Sequence, residues 1–253
     1  MIPRIFLAVV FCLSVIQVYG GGRIGWDQYG RRPLAADSLT IETKIREQIA
    51  YTTVRQVFRN PGDVPSVAVY GYTLPQDAVV TDIRWSTGGI WHLSDTLRSS
   101  VLMLKDRAIH RLDEFARSFG ETPFTQRIAD TVEADQLLVV EVVYAEMLRK
   151  SQGSYTYTFP FGPPCDDGRY PIDQWIVDIR SDRSVEHPTF IGSDRATVVA
   201  DSTSVYYTIN GEWATPRPMG CTYALRNEDL LVNVISTKRA GEDGYALILV
   251  DPE

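Results

Sequence analysis

Apolar and polar residues alternate with a period of two in one short run after another, and turn-forming clusters separate the runs. This pattern constrains the chain most, because period-two alternation puts a single apolar face on a pleated strand. VAVYGYTL (67–74), VVTDIRWST (79–87), LLVVEVVYAEML (137–148), YTYTFPF (155–161) and IDQWIVDI (172–179) all read as strands. ATVVA (196–200), SVYYTI (204–209), DLLVNVIS (229–236) and GYALILV (244–250) extend the series. TIETKIREQIAYTTVRQVF reads as one long half-buried strand, with Ile41, Ile45, Ile49 and Tyr51 on one face. Arg59-Asn60-Pro61-Gly62-Asp63, PPCDDG, INGE and AGEDG supply turns between runs.

One stretch changes period. Leu97, Val101, Leu104, Ala108, Leu112 and Phe115 are spaced by three and four. That spacing predicts an amphipathic helix over 97–118, stopped by Gly120 and Pro123. Many short strands with a single helix predict an all-β fold, a mainly antiparallel β-sandwich.

Charge narrows the functional classes. Lys plus Arg is 25 against 32 Asp plus Glu, a net charge of −7, with no basic run longer than a dipeptide. A nucleic-acid binder needs a cationic face to neutralise phosphates, so that class is set aside. Three His and three Cys leave too few ligands for a zinc cluster of ordinary spacing.

The first twenty residues read as a targeting segment. MIPR carries one positive charge, IFLAVVFCLSVIQVY is apolar, and cleavage is expected between Gly20 and Gly21. The apolar run is shorter than the ~20 residues of a membrane span, which favours cleavage over anchoring. An uncleaved anchor is the alternative, and only then is a membrane a partner. Loss of Arg4 makes the mature charge 24 − 32 = −8. The expected location is secreted, periplasmic or cell-surface. Residues 21–36, rich in Gly and Arg and without a period, read as a flexible lead-in.

Export also bears on the cysteines. Cys165 and Cys221 remain after cleavage, and an even number in an oxidising compartment makes them a candidate disulfide. Closing a loop of about 56 residues (221 − 165) is worth roughly 3–4 kcal/mol. Two separate buried thiols are the alternative reading.

The order of three segments resembles a known family. RNPGDVPSVAVYGYTLPQDAVVTDI has an Asn opening a loop, then an aromatic strand ending in Leu-Pro. FTQRIADTVEADQLLVVEVVYAEMLRKSQGSYTYTFPF has Phe-Thr-Gln, a valine-rich strand, Tyr-x-Glu-x-Leu and an aromatic strand reaching Phe-Pro. EDGYALILVDPE is similar to a closing strand that leads into a von Willebrand factor A domain. Together they resemble the VIT (vault protein inter-alpha-trypsin) domain over 37–164. The resemblance implies that 165–253 is a C-terminal β extension packing on that domain and leading to an A domain beyond Glu253, with a stand-alone VIT-like domain as the alternative. Two departures stand out: DEFARSFGETPFTQ is abbreviated against the family pattern, and DSTSV (201–205) lacks the Asp-x-Ser-x-Ser spacing of an A-domain metal loop.

Chemistry-bearing residue types occur mostly where ordinary structural roles account for them. Asp166-Asp167 and Glu228-Asp229 sit in turn-rich sequence, where carboxylates cap and solvate. His92, His110 and His187 are far apart, and no nucleophile elbow or His-Glu-x-x-His occurs. Tyr155, Tyr157, Phe159 and Phe161 share a strand face, and Tyr206, Tyr207 and Trp213 follow. Such stripes are expected in a sandwich core, with surface contact as the alternative. No catalytic, cofactor or metal residue is assigned. The expectation is a non-enzymatic interaction or scaffold domain with a protein or matrix-glycan partner, implied by the resemblance. A secreted hydrolase with an unrecognised β-sandwich site is the alternative.

Overall fold

A computed structural model describes residues 21–26, 33–75, 77–94, 123–161, 170–214, 218–226, 231–237 and 245–251. Within them the chain is built of strands and turns, without helix. The targeting segment and the expected helix at 97–118 lie outside the described residues.

In chain order the strands are β1 (Gly21–Trp26), β2 (Pro33–Leu34), β3 (Ser38–Arg46), β4 (Ile49–Arg59), β5 (Ser66–Thr73) and β6 (Val79–Thr87). Then come β7 (Ile90–Leu93), β8 (Pro123–Val132), β9 (Leu137–Met147), β10 (Lys150–Ser151), β11 (Ser154–Phe159) and β12 (Tyr170–Arg180). The last are β13 (Val185–Ile191), β14 (Thr197–Ala200), β15 (Ser204–Ala214), β16 (Met219–Leu225), β17 (Leu231–Thr237) and β18 (Tyr245–Asp251). An eight-stranded sheet runs β14-β15-β12-β3-β4-β9-β6-β7. Two four-stranded sheets, β2-β1-β5-β8 and β10-β11-β16-β13, and the hairpin β17-β18 complete the set.

Both four-stranded sheets cover the same face of the eight-stranded one. Phe58 on β4 meets Tyr70 on β5 at 6.1 Å between ring centroids, and Tyr144 on β9 meets Tyr72 at 5.9 Å. At the other end Trp175 on β12 contacts Phe159 at 5.5 Å and Phe190 at 5.4 Å. The result is two sandwiches side by side on one long sheet, with a continuous apolar core. Each large side chain buried there contributes roughly 1.5–3 kcal/mol.

The long strand expected over 40–58 is instead a hairpin. Glu47 adopts φ 55°, which closes the two-residue turn that joins β3 to β4. Crossing it reverses the parity: Ile41, Thr43 and Ile45 face inward, then Ala50, Thr52, Val54, Gln56 and Phe58. Tyr51 is thereby turned outward.

Residues 21–36 are not a flexible lead-in throughout. β1 pairs antiparallel with β5 from Gly21↔Thr73 to Trp26↔Ala68, and Ile24 and Trp26 are fully buried. Gly22 serves close approach rather than freedom. A Cβ on Gly22 would collide with the Gln56 side chain and the Tyr70 hydroxyl, which bond each other at 2.7 Å.

Strand pairing also crosses the expected division at 164/165. β11, placed by sequence in the first unit, pairs with β16 of the second. β12 joins β3 in the sheet's parallel step, Ile179↔Ile45. The C-terminal half therefore supplies strands to shared sheets.

Candidate interaction edges

An unpaired strand edge offers a row of N–H and C=O groups to another chain, and folded proteins usually guard it. The ends of the two four-stranded sheets are guarded. β2 is two residues long and begins with Pro33, and β10 is two residues long and carries Lys150. β8 is irregular where Val67 and Val69 of β5 meet it. β13 bulges between Glu186 and Thr189, with His187 at φ 50° and Pro188 beside it. The two ends of the eight-stranded sheet, β7 and β14, carry neither proline nor bulge.

β7 is the aromatic end. Ile90, Trp91 and Leu93 are 67%, 45% and 61% exposed. They are held there by pairing with β6, Thr87↔Ile90 through Arg84↔Leu93, closed by Gly88 and Gly89 at positive φ. The pleat splits their roles. His92 turns inward and stacks on Trp85 at 6.0 Å. Trp91 turns to the outer face, where the Arg84 guanidinium sits 4.8 Å from its ring centroid. Arg84 is fixed in turn by Glu141, with Nε donating to Oε1 at 2.7 Å. Exposed Trp and Arg side by side, on an edge unpaired among the described residues, are the residue types that carry most interface energy.

Beneath, the covered face of the long sheet turns polar where the two four-stranded sheets meet. One ladder row runs Tyr207, Val177, Thr43, Thr52, Tyr144. The Tyr157 hydroxyl, from β11, lies 2.9 Å from Thr43 Oγ1 and 3.0 Å from Thr52 Oγ1. Burial pushes the Tyr157 phenol above its ordinary range, with both threonine bonds opposing. Glu146 on β9 shares this seam, and its Oε1 is buried with no hydrogen-bond partner among the described residues. Burial raises its carboxyl from 4.5 to about 7. In the sequence Glu146 stands within Tyr-x-Glu-x-Leu, where nothing local marks it as buried.

The candidate residues of the sequence are dispersed. Cys221 on β16 is a free, fully buried thiol that burial pushes up to about 12, while Cys165 lies outside the described residues. The candidate bridge is therefore not formed at Cys221 in this structure. Gly20 lies outside the described residues, and Gly21 opens β1. Asp166, Asp167, Glu228, Asp229 and His110 are likewise outside, and His92 and His187 stand on different sheets. Tyr155, Tyr157, Phe159 and Tyr207 are core, whereas Tyr206 faces outward. Asp201 caps its own turn, accepting from the Thr203 and Ser204 amides at 2.8 and 2.7 Å.

No curated protein matches the chain. Among solved structures it is similar to a candidate nutrient-binding protein from Legionella pneumophila, at 9% identity and a TM-score of 0.49, covering 74% of this chain and 66% of that one. It is also similar to an M1 zinc metallopeptidase from Deinococcus radiodurans, at 10% identity and a TM-score of 0.40, covering 92% of this chain and 48% of that one. The chain thus spans less than two thirds of either structure. The family comparison is more specific: residues 36–95, the segment holding β3 to β7, match the model of the vault protein inter-alpha-trypsin (VIT) domain.

Proposed function

We propose that the protein is a non-enzymatic interaction domain that works outside the cytoplasm and takes an extended segment of a partner protein along β7. The edge at Ile90–Leu93, unpaired among the described residues and with Trp91 propped by Arg84, is the observation that supports it. A partner strand added there gains main-chain hydrogen bonds from the edge and side-chain contacts from Trp91 and Leu93. Its location rests on the N-terminal targeting segment and on the VIT match.

A photo-crosslinking residue at Trp91 tests the reading, with the same residue at Lys44, on the outer face far from the edge, as the control. The extracytoplasmic fraction of the producing cell should yield one discrete adduct from position 91 and none from 44. The purified partner should then bind wild type and lose binding to I90K/L93K. Equal adducts from both positions, or undiminished binding to that variant, would overturn the proposal.

A further inference from the structure

The opposite end of the eight-stranded sheet has different chemistry. β14 pairs with β15 in unbroken register, Thr197↔Thr208 through Ala200↔Val205, and all four of its residues are exposed. Val198 and Val199 point to opposite faces and are 49% and 65% exposed. Alanine, threonine and valine alone line this edge, so no like charges meet if the strand is placed against itself.

The flanks decide the orientation. Arg195 precedes the strand and Asp201 follows it, each three residues from Val198. An antiparallel two-fold pairing centred on Val198 sets Val198 against its own copy, Thr197 against Val199 and Arg195 against Asp201, twice over. Asp201 is held at the strand's end by its turn, where Oδ2 also accepts from Ser204 Oγ at 2.7 Å. A parallel arrangement would instead oppose Arg195 to Arg195. We propose that β14 joins β14 of a second copy of this chain in this register, making one sheet of two protomers. The shared ladder is short, so the pairing is weak and concentration-dependent.

Sedimentation equilibrium of the purified full chain tests this across a concentration series. Wild type should move from one protomer mass toward two, and Val198→Lys, which sets ammonium against ammonium, should raise the dissociation constant about tenfold or more. Arg195→Glu should weaken the pair in the same direction. Register is read separately by mild oxidation of single cysteines. Val198→Cys should cross-link, because directly opposed Cα atoms lie about 4.5–5.5 Å apart, inside disulfide reach. Thr197→Cys should not, because its copies lie about 8 Å apart. One-protomer mass at every concentration, equal cross-linking at 197 and 198, or loss of the pair on Trp91→Ala instead of Val198→Lys would overturn the proposal.

Discussion

The guanidinium of Arg84 lies over the ring of Trp91 at 4.8 Å, one strand inward from the sheet's aromatic end. Arg84 is also bound to Glu141, so the tryptophan rests on a cation that is itself fixed. Because Trp91 and Arg84 are both nearly half exposed, the fold depends on their contact little. Trp91→Ala should lower stability by no more than about 1 kcal/mol. Chemical denaturation measures it, and a larger loss would mean that Trp91 is part of the packing.

Two buried tyrosines should answer the same substitution differently. Removing the Tyr157 hydroxyl strips Thr43 and Thr52 of their shared partner. Tyr157→Phe should then cost about 1–3 kcal/mol. The Tyr207 hydroxyl is buried with no partner among the described residues, and its ring packs tilted against Phe190 at 5.4 Å either way. Tyr207→Phe should be neutral or stabilising, and urea melts of the two variants give the comparison directly.

Glu146 makes stability depend on pH. Its carboxyl is raised by burial from 4.5 to about 7, so the folded chain holds a proton that the unfolded chain has released. The sign follows: stability from this group is present below pH ~4.5 and is lost as pH rises toward ~7, then stays flat. Glu146 keeps some solvent contact, which reduces the loss to the order of 2 kcal/mol. Melting temperature against pH should fall across that window in wild type and flatten in Glu146→Gln.

Arg183 and Glu47 tie the β3–β4 turn to the turn after β12. Arg183 Nη2 lies 3.0 Å from Glu47 Oε2, with the arginine almost wholly buried. Removing one member leaves the other charge desolvated. Arg183→Ala should cost about 3–5 kcal/mol, and the double variant with Glu47→Gln should recover part of it.

Much of this fold was legible because alternation survives burial on one face. The runs at 67–74, 79–87 and 137–148 became β5, β6 and β9 nearly residue for residue. β1 was illegible, because Ile24 and Trp26 stand among glycines whose role appears only when Gln56 and Tyr70 close over Gly22. The β3–β4 turn was hidden since Glu47-Gln48 carries no glycine or proline, and the left-handed backbone at Glu47 is set by the hairpin itself. The candidate site was less legible still. IWHL is too short for a period, and ATVVA reads as a strand without revealing that it ends a sheet. Edge position belongs to topology, which local pattern does not encode. Glu146 likewise gains its meaning from parity: it continues the inward row of Val142 and Tyr144.

Amide hydrogen exchange of the full chain, free and saturated with the partner captured at Trp91, tests the β7 edge most directly. Strand addition predicts new protection in the backbone of Ile90–Leu93, with the neighbouring β6 amides little changed because β7 and β9 already flank them. Unchanged exchange along β7, with protection arising on another element, would contradict the account.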